Sequence, residues 1–281
     1  MILGYSTNAF TKYTLLEALE RIQAIGYHGV EIMCDQPHLY PPEYDAEKLD
    51  QVNASLRQLD LKVTNLNSFT LFAIGDTYLP SWIESDPDRR RIRIEHTLSS
   101  LRIAKKLGCR CISIPPGGPL EGTLRSKAMS FFYAGLDKVI PEAEALDIKL
   151  LVEPEPDLMI ERTSEFQAFI KDIQSPAVGI NFDIGHFFCA GEDPAKALET
   201  LFEWVGHVHL EDIGISRIHQ HLVPGDGAID LPTVFRKMKE LDYQGDMTLE
   251  LYTYANGPGV AGVKSLEYLQ PIFEEIGLDI G

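Results

Sequence analysis

Residues 206–212 read Gly206-His207-Val208-His209-Leu210-Glu211-Asp212. Successive side chains of a β-strand point to opposite faces, so His207, His209 and Glu211 share one face while Val208 and Leu210 take the other. That pattern places imidazoles where a buried strand would ordinarily carry aliphatic groups. Five of the eight histidines, at positions 186, 207, 209, 219 and 221, fall within 36 residues. The question is whether this strand end meets others like it.

Working outward, eight strand-like runs alternate with helix-like runs, as expected of repeated βα units that feed a parallel sheet. The strand-like runs are Ile2–Ser6, Gly29–Met33, Lys62–Leu66, Cys111–Ile114, Lys149–Glu153, Val178–Phe182, the opening stretch and Met247–Leu251. Helices are expected at Thr14–Ile25, where Thr14 and Glu17 form a capping box, and at Ala46–Leu59, Pro87–Leu107, Lys127–Leu146 and Val260–Ile276. Eight units match a closed β/α (TIM) barrel, a single domain over residues 1–281. The loops His38–Tyr44 and Asn67–Trp82 are long enough to overhang its C-terminal rim, where such barrels keep their binding loops.

Composition narrows the function classes. Hydrophobic residues make up 44% and charged ones 24%, which suits a packed core, and there is no apolar run of the roughly 18 residues that a membrane span needs. The N-terminus lacks a basic segment followed by an apolar one, so a cytoplasmic location is expected. Four cysteines without an even framework fit reduced thiols. The net charge of −17 argues against nucleic acid, whose binding depends on cationic side chains. A small hydroxy-carbonyl or sugar substrate is the expected partner, with homo-oligomerisation left open.

Parallel strands present their C-terminal ends on one rim, so Glu153, Asp183, His209 and Glu250 are expected to surround one point. Three carboxylates and an imidazole suit Mn²⁺, Zn²⁺, Co²⁺ or Mg²⁺, and without a cation the carboxylates would raise one another's pKa. Glu250 is the most telling, because Thr248-Leu249-Glu250-Leu251 would otherwise bury an unpaired carboxylate at a cost of several kcal/mol. A second group, His186, His219 and His221, is positioned to bind substrate or a second metal. His207 reads as a packed histidine of the barrel interior, and Glu211 and Asp212 as supporting groups behind the ligands.

These strand ends, with the run from His221 to Gly225-Asp226-Gly227 and the element Gly26-Tyr27-His28-Gly29-Val30-Glu31, resemble the xylose isomerase-like barrel superfamily. That superfamily includes sugar isomerases and epimerases, hydroxypyruvate isomerase, inosose and dehydroshikimate dehydratases, and endonuclease IV. The resemblance implies that Glu153, Asp183, His209 and Glu250 bind a catalytic divalent metal and that Glu153 and Glu250 exchange a proton beside a carbonyl. Endonuclease IV draws two further zinc-binding histidines from its third and fourth strand ends. Here those ends read Asn65-Leu66-Asn67-Ser68 and Ile114-Pro115-Pro116, so nuclease chemistry is not expected. Arg217 lies too far along from His209 to match the arginine that epimerases set on substrate hydroxyls. Glu155 stands where many epimerases have asparagine, which leaves the reaction open.

The expectation is therefore a metal-dependent isomerase or epimerase that transfers a proton through an enediolate. A metal-dependent dehydratase on a cyclic polyol or dehydroshikimate-like substrate is the rival, and a metal-binding barrel without turnover is the rival from another class.

Overall fold

A computed structural model describes residues 1–280. Among the described residues ten strands occur in chain order: β1 (Leu3–Ser6), β2 (Gly29–Met33), β3 (Lys62–Asn67), β4 (Cys111–Ile114), β5 (Lys149–Val152), β6 (Val178–Asp183), β7 (Val205–Leu210), β8 (Asp212–Ile213), β9 (His221–Leu222) and β10 (Met247–Leu249). Eight of them close into a barrel in the cyclic order β1, β10, β7, β6, β5, β4, β3, β2, and every neighbouring pair is parallel. The other two, β8 and β9, form a short antiparallel ribbon above the end of β7. The helices are α1 (Leu15–Ile25), α2 (Ala46–Gln58), α3 (Pro87–Leu107), α4 (Arg125–Leu146), α5 (Thr163–Asp172), α6 (Ile184–Cys189), α7 (Pro194–Leu201), α8 (Leu231–Glu240) and α9 (Pro258–Ile276).

The expected eight-stranded barrel is thus present, and local chemistry explains its boundaries. Thr14 and Glu17 cap α1 reciprocally, and Gly26 ends it with φ 112°, a left-handed conformation that a side chain disfavours. Asp86 caps α3, whose first residue is Pro87. Proline at 115 stops β4 after Ile114 because it has no amide for the ladder. Helix α6 was not expected: Asp183 ends β6 and at once caps α6, its Oδ1 accepting from His186 N at 2.8 Å.

Alternation along each strand sorts side chains into two layers. Ile112, Leu150, Ile180, Val208 and Leu249 join the apolar layer under the helices. The alternate positions turn into the barrel. There Thr64 Oγ1 and Thr248 Oγ1 lie 2.9 Å apart, and His207 Nε2 lies 2.9 Å from Thr248 Oγ1. Glycine at position 29 makes room for them, since a Cβ there would stand 2.7 Å from the Thr64 methyl. His207 is a buried, hydrogen-bonded residue of the interior, as its sequence context implied.

The two long loops behave differently. The end of β3 and the segment after it do wall the cavity at the rim, through Asn67, Phe69, Thr70, Phe72, Thr77 and Tyr78. His38–Tyr44 does not overhang it. His38 is buried with Nε2 3.3 Å from Phe10 O, and the turn at Pro41–Glu43 packs on α3, because the apolar side chains of this loop find more cover at the barrel's flank.

Candidate active site

Strand register brings the four carboxylate and imidazole groups together. Asp183 pairs with His209 across β6 and β7, and Thr248 pairs with His209 across β10, so Glu250 stands one layer higher beside it. One donor atom from each of Glu153, Asp183, His209 and Glu250 lies within 4.8 Å of the others, and all four residues are buried. His209 Nδ1 is 3.2 Å from Glu153 Oε1 and 3.7 Å from both Asp183 Oδ2 and Glu250 Oε1. The far nitrogen, His209 Nε2, lies 2.6 Å from Glu31 Oε2. Glu31 comes from β2, is fully buried, and also accepts from Ser6 Oγ at 2.9 Å and Asn65 Nδ2 at 2.8 Å. Amides orient the other carboxylates: Asn181 donates to Glu153 at 2.8 Å, and Asn8 donates to Glu250 at 2.8 Å.

The second histidine group stands beside the first. His186 Nδ1 is 2.8 Å from Pro154 O, and His221 Nδ1 is 2.8 Å from Glu250 O. A carbonyl only accepts, so both rings carry their proton on Nδ1 and turn a bare Nε2 inward. His219 Nε2 lies 3.1 Å from His221 Nε2. Glu155, also buried, reaches this group: it is 3.3 Å from His186 Nδ1 and 3.5 Å from His219 Nδ1, and it accepts from Tyr78 OH at 2.9 Å. The three imidazoles lie close enough to share a cation, but His186 and His219 also line the cavity. Glu211 accepts from Gly185 N, where a Cβ on residue 185 would collide with its carboxylate. Asp212 binds the amides of Gly225, Gly227 and Ile229 and so fixes the loop after β9. Arg217 is turned away, its guanidinium over the Phe188 ring at 4.1 Å.

Burial and charge act in opposite directions here. Burial disfavours the ions of Glu153, Glu155, Glu211 and Glu250 and raises all four, and neighbouring carboxylates add to it. For Glu31 burial is outweighed by the imidazoles of His209 and His207, which hold it down to about 2. Burial would lower His209, but Glu31, Glu153 and Glu250 raise it well above its ordinary value.

This donor set fits a divalent cation. Asp183 Oδ1 is used in capping α6, whereas the buried Asp183 Oδ2 has no hydrogen-bond donor. A carboxylate oxygen denied both water and a donor is costly, and a cation at that point would remove the cost. Glu153 and Glu250 of this set line a cavity of about 410 Å³ on the C-terminal rim of the barrel, where barrel enzymes hold their substrates.

A sequence-family model described as a xylose isomerase-like TIM barrel matches residues 19–272. The chain belongs to that family. Over 280 residues this xylose isomerase-like barrel is 23% identical to fructoselysine 3-epimerase of Escherichia coli O157:H7, covering 97% of the chain and 98% of that protein. It is 26% identical to inosose dehydratase of Clostridium perfringens (strain ATCC 13124) over 132 residues, 41% of the chain and 44% of that protein. A D-tagatose 3-epimerase-like protein shares its fold with a TM-score of 0.83 at 22% identity, covering 99% of this chain and 98% of that one. The IolI protein with a bound zinc atom superposes with a TM-score of 0.81 at 17% identity, covering 98% and 99% of the two chains.

Two groups in this xylose isomerase-like site were not assigned from sequence. Glu31 carried the same signal as Glu250, a carboxylate flanked by apolar strand residues in Val30-Glu31-Ile32. Glu155 stood out only as a departure from the family pattern after Glu153-Pro154 and had no assigned role, because its partner Tyr78 is 77 residues away in an irregular loop.

Proposed function

We propose that this protein is a metal-dependent isomerase or epimerase of a sugar or related hydroxy-carbonyl compound. The observation that carries this reading is the meeting of Glu153 and Glu250 at the cavity floor. They come from strands three apart in the barrel order, and each has an oxygen within 4.8 Å of the other and of the Asp183 and His209 donors. Glu153, Asp183, His209 and Glu250 would hold the divalent cation, whose contribution when bound is to polarise a substrate carbonyl and its neighbouring hydroxyl.

The protein's own groups supply the remainder. Glu153 and Glu250 reach the floor from different sides, so one removes the proton beside the carbonyl and the other delivers one to the opposite face. Glu31 accepts Nε2–H of His209 and so leaves Nδ1 for the cation. His186 and His219, which line the cavity, and His221 behind them contact substrate hydroxyls and order the wall, in preference to a second metal.

A lyase reading is favoured by one observation, the partial match to inosose dehydratase. Proton abstraction beside a carbonyl leads to loss of water when a hydroxyl sits at the next carbon. Incubation of Mn²⁺-loaded protein with a ketose and inosose panel in D₂O separates the outcomes. Isomerase or epimerase action places one deuterium on the carbon beside the carbonyl of an isomeric product, and lyase action gives a product lighter by water. Absence of both, with metal bound, would leave the barrel without turnover and sink the proposal.

A further inference from the structure

The cavity changes character with height. Its floor is polar, with Glu153, Glu250 and His186, and its upper wall is aromatic, with Phe69, Phe72, Tyr78 and Tyr252. Among the described residues no lysine or arginine lines it, so nothing there balances a phosphate, and the protein carries a net charge of −17. The aromatic wall is presented to solvent at a cost: Phe72 is 49% exposed and Tyr252 40%.

That wall is also held firmly. Asp35, fully buried on the segment after β2, accepts from the amides of Gln36, Phe72 and Ala73. Arg93, fully buried on α3, donates to the carbonyls of Pro80, Ser68 and Phe69. A buried carboxylate and a buried guanidinium are therefore both committed to fixing the segment that carries Phe69 and Phe72. Tyr78 ties the same segment to the polar floor through Glu155.

From these observations we propose that the upper wall is a subsite for an uncharged, apolar or aromatic substituent carried by the substrate, and that sugar phosphates are excluded. This deepens the isomerase or epimerase reading and rests on it. The hydroxy-carbonyl end lies on the floor, and the substituent stacks on Phe72 and its aromatic neighbours, where an aromatic pair adds to the area it removes from water.

The test is calorimetric titration of the Mn²⁺-loaded full chain with a matched panel. The panel holds methyl and phenyl 3-keto-β-D-glucosides, methyl and phenyl 3-keto-β-D-galactosides, and D-fructose with its 1-anilino-1-deoxy derivative and its 6-phosphate. The expected result is that the aryl member of the tightest series binds roughly tenfold more tightly than its small counterpart, and that the phosphate binds more weakly than D-fructose. Phe72→Ala should bring the aryl preference toward unity, and Phe72→Trp should retain it. Phe72 is half-exposed, so neither change threatens folding. Equal affinities within every series, tightest binding of the phosphate, a preference that survives Phe72→Ala, or no binding by any member would each overturn the subsite. The deuterium experiment fails independently: an aryl preference without proton exchange would keep the subsite and remove the isomerase or epimerase reading.

Discussion

Glu31 and His209, from strands β2 and β7, meet at 2.6 Å between Oε2 and Nε2, and neither has any solvent exposure. The two strands are not neighbours in the barrel, so the contact crosses its interior. A carboxylate behind a ligating imidazole fixes its tautomer and raises its basicity, and losing such a partner typically costs 10–100-fold in metal affinity. Glu31→Gln keeps the shape but presents an amide that can face His209 with its NH₂. The expected outcome is a folded protein whose Mn²⁺ or Zn²⁺ affinity, measured against a competing chelator, falls by roughly 10–100-fold. Unchanged affinity would mean that Glu31 does not position His209 for metal binding.

Glu250→Gln tests the proposed proton-transfer pair. The amide preserves the hydrogen bond capacity toward Asn8 through its carbonyl oxygen but cannot take a proton. Turnover is expected to fall by at least two orders of magnitude, the usual scale of a lost general acid or base, and metal affinity is expected to weaken as well. Retention of full metal content and full activity would remove Glu250 from the site.

Buried histidines set the acid limit of stability. Burial holds His207 and His96 down to about 3, and His221 and His38 down to about 4. Unfolding returns each to an ordinary value near 6.5, so below that pH the unfolded chain binds more protons and stability falls as pH drops toward 4. His209 works in the opposite sense, stabilising below about 6.5 and losing that contribution as pH rises through its raised value. His96 is the cleanest probe because neither of its ring nitrogens has a partner and it lies on α3, outside the cavity lining. His96→Phe should gain about 2 kcal/mol at pH 5 relative to its effect at pH 7, read from urea unfolding at the two pH values. An equal effect at both would show that His96 titrates normally in the fold.

Why some of this was legible in the sequence and some was not follows from the kind of partner each residue has. The barrel showed itself through strand alternation, and Glu153, Asp183, His209 and Glu250 through their position at consecutive strand ends. The structure brings those four side chains to one point. Glu31 shared the signal of Glu250 but sits early in the chain, away from the histidine-rich stretch, so nothing local linked it to His209. The direction of the His38–Tyr44 loop was not legible, because proline and tyrosine content marks a loop without saying which surface covers it. Asp35 and Arg93 were invisible for a related reason: their partners are backbone amides and carbonyls, which every residue has.

Arg93 offers the last test, because its guanidinium is buried and, among the described residues, has no carboxylate in salt-bridge contact. Burial lowers it to about 9, still protonated at neutral pH. The guanidinium donates to three carbonyls of the segment after β3, those of Ser68, Phe69 and Pro80. Arg93→Met fills similar volume but leaves those carbonyls unpaired, at roughly 1–3 kcal/mol for each group that water cannot reach. Some of them will hydrate once the segment loosens, so the expected loss is about 3 kcal/mol in global stability, with faster amide hydrogen exchange confined to residues 68–80. Arg93→Lys should recover only part, since an ammonium cannot span the carbonyls of Pro80 and Ser68 in the plane that a guanidinium does. Uniformly faster exchange across α3 and α4 would instead mark Arg93 as a packing residue, and the aromatic wall would then owe its position to Asp35.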